Sequence, residues 1–263
     1  MNSFLNKFYA FFVRDIKIAL TYKFNIFIQL LWFSFIFIII YFAFQDPNLE
    51  SSNFNYLDAF LSLISIDFMF SSLNVFSREV RLAKTTGTFE STLLTKTSFL
   101  TLVFSSYAVT FLRMMFRAII YLLVCKYFFY FDLSLSQIFF VITSLYYNSI
   151  PFIALGLISA SFIIVYKVGD IANFIISLLS IFFSGIFFPV NSLPEYMKSF
   201  GEVTPLNICL ETSKKIIQDF NFIDLLPYLK LTTLEIVLFL PIGIFFISKA
   251  LKLAKKEGTL SYY

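Results

Sequence analysis

Histidine is absent from this 263-residue chain. That removes His-dependent metal sites and most acid–base, Ser–His and Cys–His chemistry. Cysteine is nearly absent too. Cys125 and Cys209 are too few and too far apart for a metal cluster and are read as free thiols. Charge is scarce: Asp, Glu, Lys and Arg make up 14% of the residues, against roughly 25% in a soluble domain. So large a deficit leaves too few charges to coat a water-facing surface. There is no basic stripe of the kind that neutralises phosphates, so no nucleic-acid partner is expected. None of the seven glycines belongs to a Gly-x-x-x-x-Gly-Lys-Ser/Thr phosphate loop. No paired-carboxylate motif such as Asp-Asp-x-x-Asp occurs, which with the missing histidine argues against an intramembrane enzyme.

What is plentiful is apolar: 59% of the chain is hydrophobic and 39 residues are Phe. A compositional bias filling lipid-facing positions accounts for the Phe content more simply than an aromatic binding site does. The expected fold is an all-α polytopic membrane protein, one transmembrane domain over residues 1–263 with six spans.

Residues 1–23 read as an amphipathic interfacial helix. Phe4, Phe8, Phe11, Phe12, Ile16 and Ala19 recur at helical spacing, opposite Lys7, Arg14 and Lys17. The apolar run between Lys7 and Arg14 is too short for a signal-peptide core. A crossing helix needs about 20 apolar residues, and spans are expected at 24–44, 57–77, 99–127, 135–166, 171–188 and 229–248. Pro151 and Gly156 predict a tilted or kinked fourth span.

Cations set the orientation. One side collects Lys7, Arg14, Lys17, Lys23, Arg78, Arg81, Lys84, Lys96, Lys167, Lys249, Lys252, Lys255 and Lys256. The other has only Lys126, Lys198, Lys214, Lys215 and Lys230. The positive-inside rule then places both termini in the cytoplasm of a multi-pass protein of the cell (inner) membrane. No internal repeat of the secondary-transporter kind is visible.

Two connectors carry more than a link. In the cytoplasmic segment 78–97, Gly87 is expected to break one helix and Thr88 to cap a short second one over 86–97. Glu90 falls in that helix's first turn, where the dipole favours an anion. Phe89, Leu93 and Leu94 form an apolar ridge outside the bilayer, which needs a binding partner unless it rests on lipid head groups. In the external segment 189–218, Ser192 or Asn191 is expected to cap a helix with Pro194 and Glu195 in its first turn. Leu193, Tyr196, Met197 and Phe200 share its apolar face, Gly201 is expected to end it, and Thr204 caps a second helix beginning at Pro205. These two helices read as an outer plug or lid, with Pro189 at its entrance.

This order of elements resembles the membrane subunit of the type-2 family of ATP-binding-cassette exporters. The likeness rests on Gly87-Thr88-Phe89-Glu90 with Leu93-Leu94 between spans two and three. It also rests on Ser184-Gly185-Ile186-Phe187-Phe188-Pro189, Leu193-Pro194 and Thr204-Pro205-Leu206 between spans five and six. Phe89 stands where the family usually has Leu, and Thr204 where it usually has Asn. The resemblance implies a coupling helix at 86–97 that docks ATPase subunits on the cytoplasmic face. It also implies pairing with a second permease copy or paralogue. The chain itself would bind no cofactor, with ATP and Mg held by the partner subunit. The substrate would be lipophilic, lipid-linked or a glycan. The competing class is a channel or secondary transporter that needs no ATPase.

Four charges fall within spans: Asp67, Arg113, Arg117 and Glu235. A lone ionised group there costs several kcal/mol, so it should be paired, protonated or facing water. Helix rise brings Asp67 and Arg113 to similar depths, and these two are the expected pair. Glu235 is placed in the outer part of the sixth span, within reach of head groups. Both a structural ion pair and a polar substrate path fit the pattern.

Overall fold

The structure is a computed structural model that describes residues 2–21, isolated positions between 24 and 39, and residues 56–88, 99–128, 131, 133–166, 171–187, 190–218 and 220–257. Among the described residues there is no strand. The helices are α1 (Asn2–Thr21), α2 (Tyr56–Thr85), α3 (Phe99–Phe128), α4 (Leu135–Tyr166), α5 (Ile171–Phe183), α6 (Glu195–Val203), α7 (Pro205–Gln218) and α8 (Phe222–Glu257). A 3-10 turn at Val190–Ser192 precedes α6. Among the described residues four stretches are long and apolar enough to cross a membrane: Leu57–Thr85, Phe104–Tyr127, Leu135–Tyr166 and Phe222–Ala254. The protein is therefore a multi-pass membrane protein. Between 24 and 39 the described positions are helical, and Phe24, Phe27, Leu31, Phe35 and Ile38 are exposed at three- and four-residue intervals. That is the stripe a lipid-facing helix presents.

Local chemistry explains several boundaries. Ser134 and Gln137 form a reciprocal capping box at the start of α4: Ser134 N donates to Gln137 Oε1 at 2.9 Å and Gln137 N to Ser134 Oγ at 3.2 Å. Asn221 Oδ1 accepts from Ile223 N at 3.2 Å and starts α8. That helix therefore begins seven residues before the expected 229, and Pro227 and Pro241 are accommodated inside it. α2 ends where Gly87 adopts φ +67°, a left-handed C-terminal cap that an L side chain resists. α5 stops at Phe183 rather than 188, because Ser184 Oγ turns back to Ile181 O and Gly185 takes φ +77°. At 13 residues α5 is about 20 Å long, short of a hydrocarbon layer of about 30 Å.

α4 is the hub, packed by α2, α7 and α8. With 32 residues it is about 48 Å long and must tilt or protrude. Two glycines bring its neighbours into backbone contact. A Cβ on Gly156 would lie 2.5 Å from Leu73 O of α2, and one on Gly243 of α8 would lie 2.7 Å from Ala154 O. Lipid offers little hydrophobic drive between helices, so this close van der Waals approach holds the α2–α4–α8 layer together. Buried side chains gather in two clusters. One surrounds Phe60, Phe68, Met114, Tyr121 and Phe152, and the other Val75, Phe76, Ala160, Ile247 and Ala250.

Candidate functional site

Polar residues recur along one face of α2 at Asp67, Ser71, Asn74 and Arg78, and along one face of α3 at Thr110, Arg113 and Arg117. Both series follow helical spacing, so each helix presents a polar stripe. The stripes enclose a cavity of about 250 Å³, lined by these residues with Phe70 and Val75. Arg117 Nη2 stands 3.2 Å from Asp67 Oδ2 and donates to Ser71 Oγ at 2.5 Å. The expected pairing with Arg113 is thus corrected. Asp67 meets Arg117, one turn further along α3, while Arg113 Nη2 donates to Thr110 Oγ1 at 3.1 Å. Four residues, about 6 Å, separate the expected partner from the observed one.

The charges continue toward the α2–α3 connection. Asp15 of α1 accepts from Ser106 Oγ of α3 at 2.7 Å. Arg14 lies 2.7 Å from Asp15 and 3.9 Å from Glu79 of α2. The amphipathic helix is therefore tied to α3 and α2 by polar contacts. Ser71, Asn74, Thr110, Asp15 and Glu79 escaped the sequence reading. A search for polar residues at helical period within apolar runs would have found the first three.

Glu235 is buried in α8 at 4% exposure, with neither oxygen hydrogen-bonded among the described residues. Its carboxylate is enclosed by the bundle rather than open at its surface. One turn earlier, Thr232 donates to Asn148 Oδ1 of α4 at 2.6 Å, so this face of α8 is turned to α4.

At the root of the 78–97 segment, Lys84 Nζ donates to Ile163 O at 3.0 Å and Ile164 O at 3.3 Å, near the end of α4. The hydroxyl of Thr88 sits 2.9 Å from Thr86 Oγ1, against the helix just ended. Phe89, Glu90, Leu93 and Leu94 lie outside the described residues.

The opposite end differs from expectation in detail. Pro194, not Ser192 or Asn191, occupies the N-cap of α6, and no side chain caps it. Its carbonyl accepts from Met197 N at 2.8 Å and Lys198 N at 3.1 Å. Gly201 does not end the helix. It is buried against Val190 and Phe183, and a Cβ there would lie 2.7 Å from Val190 Cγ1. Thr204 Oγ1 donates back to Phe200 O at 2.7 Å instead of capping α7, which starts at Pro205. Leu193 is buried, whereas Tyr196 and Phe200 are exposed. Pro189 lies outside the described residues. α7 is wedged among α2, α4 and α8, with Leu206, Ile208 and Leu210 buried. Lys214 bridges Asp58 at 3.6 Å and Glu211 at 3.3 Å. Burial pushes the thiol of Cys209, in α7, up to about 12. A cavity of about 550 Å³ opens beside this helix, between Asp58, Asn191, Glu202 and Tyr228.

A search of curated proteins found no match. The family model described as ABC-2 type transporter matches residues 6–217. That span takes in most of α1, both polar stripes, Gly87, all of α6 and all but the last residue of α7, the elements that carry the site. The chain belongs to the ABC-2 type transporter family and is a membrane component of a transporter.

Proposed function

We propose that this chain is the permease subunit of an ATP-driven exporter. It would move a lipophilic, lipid-linked or glycan substrate out of the cytoplasm or inner leaflet. In this reading six spans cross the membrane with both termini inside. Residue segment 24–44 supplies the first crossing, and α5 with the turn after it the fifth. Two permease copies, or this chain and a paralogue, enclose the path, and separate subunits bind and hydrolyse ATP. ABC-2 permeases generally work with such ATPases.

The supporting observation is the fastening at Lys84. α2 runs unbroken from Asp67 to Thr85 and stops at the left-handed Gly87. Immediately before the stop, Lys84 is tied to two carbonyls near the end of α4. A load applied to the 87–97 segment would reach α2 directly and α4 through Lys84. α4 in turn is in backbone contact with α2 at Gly156 and with α8 at Gly243. The three helices would move as one layer against α3 and α1. Their shared boundary is the polar cavity, so a docked ATPase could open or close it. Packed layers of this kind shift between discrete arrangements rather than deform continuously.

The test is affinity purification of the tagged chain from its native membrane, followed by identification of its partners. Recovery of a stoichiometric ATPase carrying a phosphate loop supports the reading. Its absence, with the permease intact, favours a channel or secondary transporter.

A further inference from the structure

Resting on the permease reading, we infer that the cavity between α2 and α3 receives the anionic head group, phosphate-like in charge, of an inner-leaflet amphiphile. Three guanidinium groups, Arg78, Arg113 and Arg117, line it, and Asp67 is the one carboxylate among the described lining residues. Asp67 is engaged by Arg117. Two further carboxylates, Asp15 and Glu79, lie near enough to act on Arg113. Asp15 is held by Ser106 and by Arg14, whereas Glu79 stands 3.9 Å from Arg14 and also acts on Arg78 and Arg113. With Arg14 included, four guanidiniums face three carboxylates, which leaves an excess of one positive charge at the cavity. In an apolar surround that excess is costly unless an anion or water enters.

Geometry agrees with charge. Arg113 uses Nη2 on Thr110, while its Nε is buried without an acceptor among the described residues. A guanidinium edge offers two parallel N–H groups that match two oxygens of a phosphate or carboxylate. A volume of about 250 Å³ exceeds that of several waters at about 30 Å³ each, enough for a compact head group with part of its hydration.

Position selects the source. The α2 residues of the cavity lie 7 to 18 residues from Thr85, about 10–27 Å along the helix. Those of α3 lie 11 to 18 residues from Phe99, about 16–27 Å. The site thus runs inward from the cytoplasmic half of the bundle. Phe70, on its rim, is exposed. An amphiphile can place its charge there and leave its chains in lipid, a gain that a free anion does not have.

The test uses the full detergent-solubilised chain, with its ATPase where that copurifies, and native mass spectrometry of retained lipid. The probes are dioleoyl phosphatidic acid, dioleoyl phosphatidylcholine, and inorganic phosphate as competitor. The wild type should retain phosphatidic acid in preference to phosphatidylcholine. Arg113→Gln should weaken that retention by about tenfold, the loss of one charge-assisted contact. Asp67→Asn should strengthen it, which a merely structural role would not do. Arg78→Gln, at the exposed end, carries the test should Arg113→Gln lower the melting temperature. Equal retention of the two lipids by the wild type overturns the proposal. So does unchanged phosphatidic acid retention in a well-folded Arg113→Gln or Arg78→Gln. Displacement of the lipid by an equal concentration of inorganic phosphate overturns the amphiphile assignment. Loss of lipid selectivity with the ATPase still copurifying counts against this proposal alone. Failure of the ATPase to copurify counts against the permease reading and leaves the lipid result standing.

Discussion

Arg117 Nη2 approaches Asp67 Oδ2 to 3.2 Å inside the bundle, with the two side chains 11% and 6% exposed. Removing one partner leaves the other buried, which typically costs about 3–5 kcal/mol. Asp67→Asn and Arg117→Gln should each lower detergent stability. Their double mutant should recover part of the loss, giving a coupling of about 0.5–3 kcal/mol. The same cycle between Asp67 and Arg113 should give a markedly smaller coupling. Thermal melts of the six proteins decide it; strictly additive losses at 67 and 117 would show that the pair contributes nothing.

Gly156→Ala and Gly243→Ala should both destabilise the bundle. Each added methyl meets a backbone carbonyl, at 2.5 Å and 2.7 Å respectively, and backbone cannot rotate away. Overpacking of this kind costs about 1–3 kcal/mol. Gly87→Ala meets no neighbour, so its loss should be limited to the strain of φ +67°. A melting curve for Gly156→Ala that overlays the wild type would contradict the close packing of α2 on α4.

Topology is best read from cysteines placed at Thr86 and Glu195, in a background with Cys125 and Cys209 replaced. Both positions are exposed. Lys84 is a poor probe despite its place in the segment expected on the cytoplasmic side, because it is 8% exposed and holds two carbonyls. An impermeant thiol reagent should reach residue 195 from outside and residue 86 only after the membrane is opened. Labelling of residue 86 in intact cells would reverse the orientation.

Native Cys125 and Cys209 should resist maleimide at neutral pH and react once the chain is unfolded, since both are buried. For Cys209 burial raises the folded value from 9.0 to about 12. A raised acid favours the native state until the unfolded thiol ionises, so any contribution is complete below pH 9 and is lost as pH climbs toward 12. Rapid labelling of the native protein at pH 7 would contradict the placement of α7.

Much of this architecture is legible in the sequence because lipid imposes a strong pattern. Long uncharged runs predict spans, and Gly87 and Pro205 mark helix ends by backbone chemistry alone. The pairing of Asp67 was not legible. Arg113 and Arg117 lie on the same face of α3, and choosing between them requires the relative depth of two helices, which no local signal carries. Glu235 is similar: its depth along α8 can be counted, but the turning of this face toward α4 is a tertiary fact. α7 shows the same limit. Leu206 and Leu210 lie on one side of the helix and Ile208 nearly opposite, yet all three are buried, because α2, α4 and α8 surround it.

The most direct test of the account is coupling to the ATPase. Phe89→Ala combined with Leu93→Ala removes the apolar ridge expected to enter a groove on that subunit. Interface anchors of this kind often cost 2 kcal/mol or more when truncated, roughly thirtyfold in affinity each. No span is touched, so the melt of the permease alone should be unchanged. The account predicts loss of the ATPase in a pull-down by the solubilised permease, with loss of substrate-stimulated ATP hydrolysis. Undiminished recovery of the ATPase by a well-folded double mutant would contradict it.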